Sequence, residues 1–65
     1  MDNSTKRWYL ISNTENGTQW TNYSYDLTFD HTDAKPFSSI KEATYWAVKL
    51  KLLVHVMTDN QMQNL

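Results

Sequence analysis

The sequence predicts a small α+β domain: an antiparallel sheet of three to four strands with one helix packed on it, in the order ββ(β)αβ or ββ(β)α. Three observations carry this. Arg7-Trp8-Tyr9-Leu10-Ile11-Ser12 is dense in aromatic and branched side chains and runs into the turn chemistry of Asn13-Thr14-Glu15-Asn16-Gly17. Tyr23, Tyr25, Leu27 and Phe29 alternate with Ser24, Asp26, Thr28 and Asp30, a period of two that puts the apolar groups on one face of a strand. Ser39 followed by Glu42 forms a capping-box pattern ahead of the stripe Ile40, Ala43, Ala47 and Leu50, which reads as the start of an amphipathic helix.

Taken in order, residues 1–6 are a polar tail expected to be disordered, residues 7–58 the single domain, and residues 59–65 a frayed tail. The first strand is 7–12. Asn-Gly favours positive φ at both central positions of a tight turn, so a hairpin follows, with the second strand starting near Thr18 or Gln19 and Trp20 its first large ring. Between Trp20 and Tyr23 the apolar positions change parity, which places a bulge or short turn at Thr21-Asn22 and leaves one bent strand or two. Asp30 to Asp33 connects, and Ala34 to Phe37 is read as a brief further strand. Pro36 and Phe37 suit an extended lead-in to the helix.

The helix sets Ala43, Trp46, Ala47 and Leu50 against Tyr23, Tyr25, Leu27 and Phe29. Its end is open to two readings. Continued through Met57, it would carry a second apolar stripe (Tyr45, Val48, Leu52, Val56) on its opposite side and need a partner there. Stopped near Leu50 or Lys51, it gives way to a final strand over 52–58, which suits the β-branched Val54 and Val56, although no Gly or Pro marks the break.

A chain of 65 residues buries only about 60% of its unfolded surface, so its core is thin. With no cysteine there is no disulfide, and no Cys/His cluster exists for a structural zinc. Two resources remain: three Trp, four Tyr and two Phe that bury much area per residue, and self-association into a homodimer. The net charge of −1 is divided along the chain. Residues 8–34 hold Glu15, Asp26, Asp30 and Asp33 with no Lys or Arg, and Lys35, Lys41, Lys49 and Lys51 follow. Met1-Asp2-Asn3-Ser4-Thr5 is polar with no apolar run behind it, and no stretch is long enough to cross a bilayer, so a cytoplasmic location is expected.

The residues offer little for catalysis. Asp26, Asp30, His31 and Asp33 are the one cluster with chemical potential, yet their spacing fits no EF-hand, zincin or carboxylate dyad, and short Asx side chains in a loop bond local amides. His55, among Leu53, Val54, Val56 and Met57, reads as a surface position. A single glycine excludes a phosphate-cradling loop. The expectation is therefore no enzyme, no cofactor, no metal and no small-molecule ligand.

Two resemblances bear on function. Lys35-Pro36-Phe37-Ser38-Ser39-Ile40-Lys41-Glu42-Ala43 resembles the sheet-to-helix junction of the arm-type DNA-binding domains of phage integrases, but those domains direct basic side chains from the sheet and residues 8–34 have none. More broadly, Trp8-Tyr9-Leu10-Ile11, Asn16-Gly17, Leu27-Thr28-Phe29, Phe37-Ser38-Ser39, Glu42-Ala43 and Leu53-Val54-His55-Val56 together resemble the small uncharacterised proteins carried by phages and prophages of Gram-positive bacteria. That resemblance implies a protein that binds host or phage proteins, and it assigns no site residue.

The expected function is accordingly a small non-catalytic binding module that contacts another protein or a second copy of itself. Its candidate interface is Trp20, Tyr45, Val48, Leu52 and Val56, since surplus apolar surface marks interfaces. The alternative is a nucleic-acid-binding accessory protein using Lys41, Lys49 and Lys51 with an exposed aromatic ring, a reading that the acidic first half opposes.

Overall fold

The computed structural model describes residues 5–65. Four strands form one antiparallel sheet: β1 (Lys6–Thr14), β2 (Gly17–Thr21), β3 (Leu27–Thr28) and β4 (Leu53–Thr58), in the spatial order β3-β2-β1-β4. Helix α1 (Ile40–Leu50) packs on one face. A short helix, α2 (Asp59–Gln63), brings Met62 against the other. The small α+β fold expected from the sequence is the fold observed.

β1 is central because both of its faces are buried. Leu10, with Trp8 beside it, meets Phe37, Ala43 and Ala47 on the α1 side. Tyr9 and Ile11 meet Trp20, Ala34, Met57 and Met62 on the opposite side. A strand covered on both faces reads as an unbroken apolar run, which explains why residues 8–11 show no alternation. Each sheet face therefore carries its own small core.

β1 and β2 pair only from Ile11↔Trp20 outward to Thr14↔Gly17. Below that point residues 34–37 are wedged between them. Phe37 exchanges backbone hydrogen bonds with Trp8 (2.9 and 2.8 Å), Lys35 N–H donates to the Thr21 carbonyl at 2.8 Å, and Ala34 bridges to Asn22. Phe37 is only 1% exposed, and where a brief strand is expected the segment makes two isolated bridges instead.

The period-two segment is the main departure from expectation. Only Leu27–Thr28 is strand, and Tyr23, Tyr25, Leu27 and Phe29 are exposed on the surface instead of facing α1. Local turn chemistry overrides the alternation. The Asn22 side-chain oxygen accepts the N–H groups of Ser24 (2.9 Å) and Asp26 (3.0 Å), and Tyr25 adopts a left-handed φ of 63°. Tyr25 stacks on Trp46 of the helix at 4.6 Å.

The first hairpin forms, but positive φ falls on Gly17 alone (124°), with Glu15 and Asn16 at its tip. At the start of α1, Ser39 Oγ accepts the Glu42 N–H, and Ala43 and Ala47 face the core while Ile40 is exposed. The helix stops at Leu50 without glycine or proline because Lys51 takes the left-handed conformation itself (φ 58°, ψ 47°). Lys51 N–H then donates to the Val48 carbonyl and Leu52 N–H to the Ala47 carbonyl, a Schellman pattern, and Leu53–Thr58 follows as a strand.

Residues 59–65 are not a frayed tail throughout, since Asp59–Gln63 is a capped helix. Of the expected disordered tail, residues 1–4 lie outside the described residues, and Lys6 already pairs with Thr58.

Candidate interaction surface

The two edges of the sheet differ. β3 is two residues long, a length that offers little to another strand. β4 is six residues long, Leu-Val-His-Val-Met-Thr, with no proline, glycine, Lys, Arg, Asp or Glu. None of the devices by which proteins blunt an edge strand is built into it.

The register fixes which backbone groups β4 presents outward. Trp8 turns its N–H and C=O away from β4, toward Phe37. Hydrogen bonding alternates along an antiparallel pair, so Arg7↔Met57, Tyr9↔His55 and Ile11↔Leu53 are the bonded pairs, and Trp8↔Val56 and Leu10↔Val54 are not. Val54 and Val56 therefore point their N–H and C=O groups outward. Thr58 points the same way, but its N–H is held by the Gln61 side-chain carbonyl at 2.9 Å. At the other end, Leu52 N–H is held by Ala47 at 2.8 Å. Among the described residues, nothing pairs with the outward groups of Val54 and Val56.

The side chains at this edge are apolar and partly open. Leu53 is 55% exposed, Val54 37% and Val56 48%. Val54 and Val56 lie on the α1 face of the sheet, opposite Leu10 and Trp8, while Leu53, His55 and Met57 lie on the other face. On that face His55 stands edge-on to Trp20 at 6.4 Å, and Trp20 edge-on to Tyr9 at 5.8 Å.

The five residues expected at an interface separate accordingly. Trp20 is buried in the core opposite α1 and leaves the set, because Tyr9, Ile11 and Met57 enclose it. Leu52 is half-buried against the α1-side core. Tyr45 and Val48 are exposed on α1, and Val56 is exposed on β4. At 100° per residue, Val48 lies on the helix flank opposite Trp46. Trp46 leans toward Tyr25, beyond β2, so the Val48 flank is the one on the β4 side. Leu53 and Val54 belong to the same exposed surface, although the sequence pattern does not single them out. The signal available for them was the strand reading of 52–58, which makes an apolar strand the last in the sheet.

Lys41 and Lys49 are exposed on α1 and Lys51 is exposed at its C-terminal end. Lys49 Nζ sits 5.3 Å from the Tyr45 ring centre, and Lys41 borders a shallow groove with Tyr45 and Trp46. Lys35 is engaged elsewhere: its Nζ lies over the rings of Tyr23 (5.3 Å), Tyr25 (5.8 Å) and Phe37 (5.3 Å), a cluster that holds the wedge segment by cation–π attraction.

The acidic loop is occupied with its own backbone. Asp30 Oδ1 accepts from Thr32 N–H (3.0 Å) and Thr32 Oγ1 (2.6 Å), opening the 3-10 turn His31–Asp33. Those two bonds hold the Asp30 carboxyl below its ordinary pKa. No three His, Asp or Glu side chains converge among the described residues. Beside this turn a hollow of about 370 Å³ lies between His31, Ala34, Pro36, Met62 and Tyr9. Burial, with help from the Asp59 carboxylate, pushes the Tyr9 phenol up against the opposing pull of Arg7.

The chain matches no protein-family model, and neither the curated proteins nor the solved structures contain a match to it. No helix among the described residues is long and apolar enough to cross a membrane.

Proposed function

We propose that this chain is a small non-catalytic protein-binding module whose contact surface is the β4 edge with Val48 beside it. One observation carries the reading: β4 presents an uncharged, six-residue edge with open backbone groups, while the opposite edge is cut to two residues. An edge of that kind invites strand pairing, and a partner strand gains main-chain hydrogen bonds there together with the apolar side chains of Leu53, Val54 and Val56. The resemblance to small phage and prophage proteins that act by binding other proteins supports the same class. We read its place of action as the cytoplasm, consistent with a chain without cysteine.

The test is assembly of the purified, tagged chain in its native extract, compared with Val56→Lys. A stoichiometric complex that the substitution abolishes, with the circular dichroism spectrum of the folded chain unchanged, is the expected result. A chain that forms no complex with itself or with any protein contradicts the reading.

A second reading rests on Lys41, Tyr45 and Lys49, which place two cations and an exposed ring on one helix. Such a patch suits stacking of single-stranded bases under phosphate contact. It predicts binding of a short single-stranded oligonucleotide that falls steeply with salt, and no retention at low salt dismisses it.

A further inference from the structure

We propose that the partner at β4 is a second copy of this chain, joined edge to edge so that the two sheets become one antiparallel sheet with a two-fold axis at His55. The proposal rests on the reading of β4 as a binding edge and names its occupant.

The free backbone groups fix the register. Hydrogen-bonded residues in an antiparallel pair exchange both bonds, so each must face outward on its own strand. Setting Val54 opposite Val56 of the second copy, and the reverse, makes four hydrogen bonds that use all the outward N–H and C=O groups of both residues. Setting Val54 opposite itself would bring Val56 against Leu52, whose N–H already donates to Ala47 at 2.8 Å. Setting Val56 opposite itself would bring Val54 against Thr58, whose N–H is held by Gln61 at 2.9 Å. The register between these two pairs the open residues only with each other and sets Leu52 and Thr58, both with committed N–H groups, opposite one another beyond the paired stretch. Its axis passes through His55.

The side chains agree with that register. On the α1 face Val54 meets Val56, and on the other face Leu53 meets Met57, each apolar against apolar. β4 holds no Lys, Arg, Asp or Glu, so no such charges are set against each other by the symmetry. α1 packs over β1 and β4. With strands about 4.8 Å apart, two helices centred between those strands come about 10 Å apart across the axis, within the range of packed helices. The helix flanks that carry Val48 then face one another above the exposed Val54 and Val56.

The experiment combines solution mass with site-specific cross-linking. Light scattering should give twice the 7.7 kDa chain mass for the unaltered protein. Val56→Pro removes an outward N–H that no bond among the described residues uses, so it should leave the fold intact by circular dichroism. It should weaken the dimer by about 30-fold or more, the factor that accompanies two lost backbone hydrogen bonds. Val56→Lys, which needs no change of φ, should do the same.

In this cysteine-free chain His55→Cys should oxidise to a disulfide-linked dimer, because unbonded antiparallel pairs bring Cα atoms to about 4.5 Å, within disulfide range. Leu53→Cys, facing Met57, should remain a thiol. A monomer at every soluble concentration overturns the proposal. So does a dimer that survives both Val56 substitutions, or one that cross-links through Val54→Cys and not His55→Cys. A monomer that still forms a stoichiometric complex with a different protein, lost in Val56→Lys, sinks the homodimer alone and leaves the binding module standing.

Discussion

Thr58 and Gln61 cap each other: the Thr58 hydroxyl accepts the Gln61 N–H at 3.1 Å, and the Gln61 side-chain carbonyl accepts the Thr58 N–H at 2.9 Å. This reciprocal box ends β4, starts α2 and closes the outward row of donors beyond Val56. It also holds α2 where Met62 covers the Tyr9–Trp20 side of the sheet. One pair of side chains thus helps to cover a core and sets the length of the open edge.

Thr58→Ala removes the cap oxygen and leaves the first turn of α2 unsupported. We expect a loss of about 1 kcal/mol in chemical denaturation. Gln61→Ala should cost a similar amount, and the double variant less than the total of the two, since both break one motif. Equal additivity would show that the two bonds act separately.

Lys51 ends α1 in a conformation that side chains with a Cβ adopt at a cost. Lys51→Gly relieves that cost and should raise stability by about 1 kcal/mol, seen as a higher denaturation midpoint with unchanged slope. A lowered midpoint would mean that the Lys51 side chain contributes more than its backbone strain.

Thr21 is 1% exposed, and among the described residues its Oγ1 has no hydrogen-bond partner. A buried hydroxyl left alone costs on the order of 1–3 kcal/mol, so Thr21→Val, of nearly the same shape, should stabilise the protein. Thermal unfolding checks this, and a clear drop in melting temperature would show that the hydroxyl is satisfied in solution.

Trp20 and Tyr45 now predict opposite behaviour. Trp20 is 7% exposed and Tyr45 54%. Trp20→Ala opens a cavity beneath Tyr9, Ile11 and Met57 and should cost about 3–5 kcal/mol, enough to unfold most of a population this small in core. Tyr45→Ala should stay within about 0.5 kcal/mol of the unaltered chain. Circular dichroism melts of the two variants distinguish them directly.

What the sequence made legible follows from where local and tertiary forces agree. The start of α1 was readable because Ser39, Glu42 and the Ala43/Ala47 stripe all point to a helix. β1 and its hairpin were readable from aromatic and branched residues followed by a turn. The stretch from Tyr23 to Phe29 misled because its alternation is real, but Asn22 captures two amides and Tyr25 turns left-handed, so the strand shrinks to two residues. The second core was hidden, since an apolar run such as Trp8-Tyr9-Leu10-Ile11 does not reveal which of its two faces is covered, or by what. Tyr45, Val48 and Val56 were named from the sequence as surplus apolar surface, and they are exposed. The outward backbone groups of Val54 and Val56 depend on register, which no side-chain pattern encodes.

Amide hydrogen exchange at β4, followed by NMR as a function of concentration, tests the edge most directly. The N–H groups of Leu53, His55 and Met57 are bonded to β1 and should exchange slowly throughout. Those of Val54 and Val56 have no partner within the described chain, so their protection reports only what docks on the edge. A second copy at the edge predicts slow exchange at Val54 and Val56 in concentrated solution and fast exchange on dilution. Fast exchange at both residues at every concentration, with their neighbours protected, would contradict it.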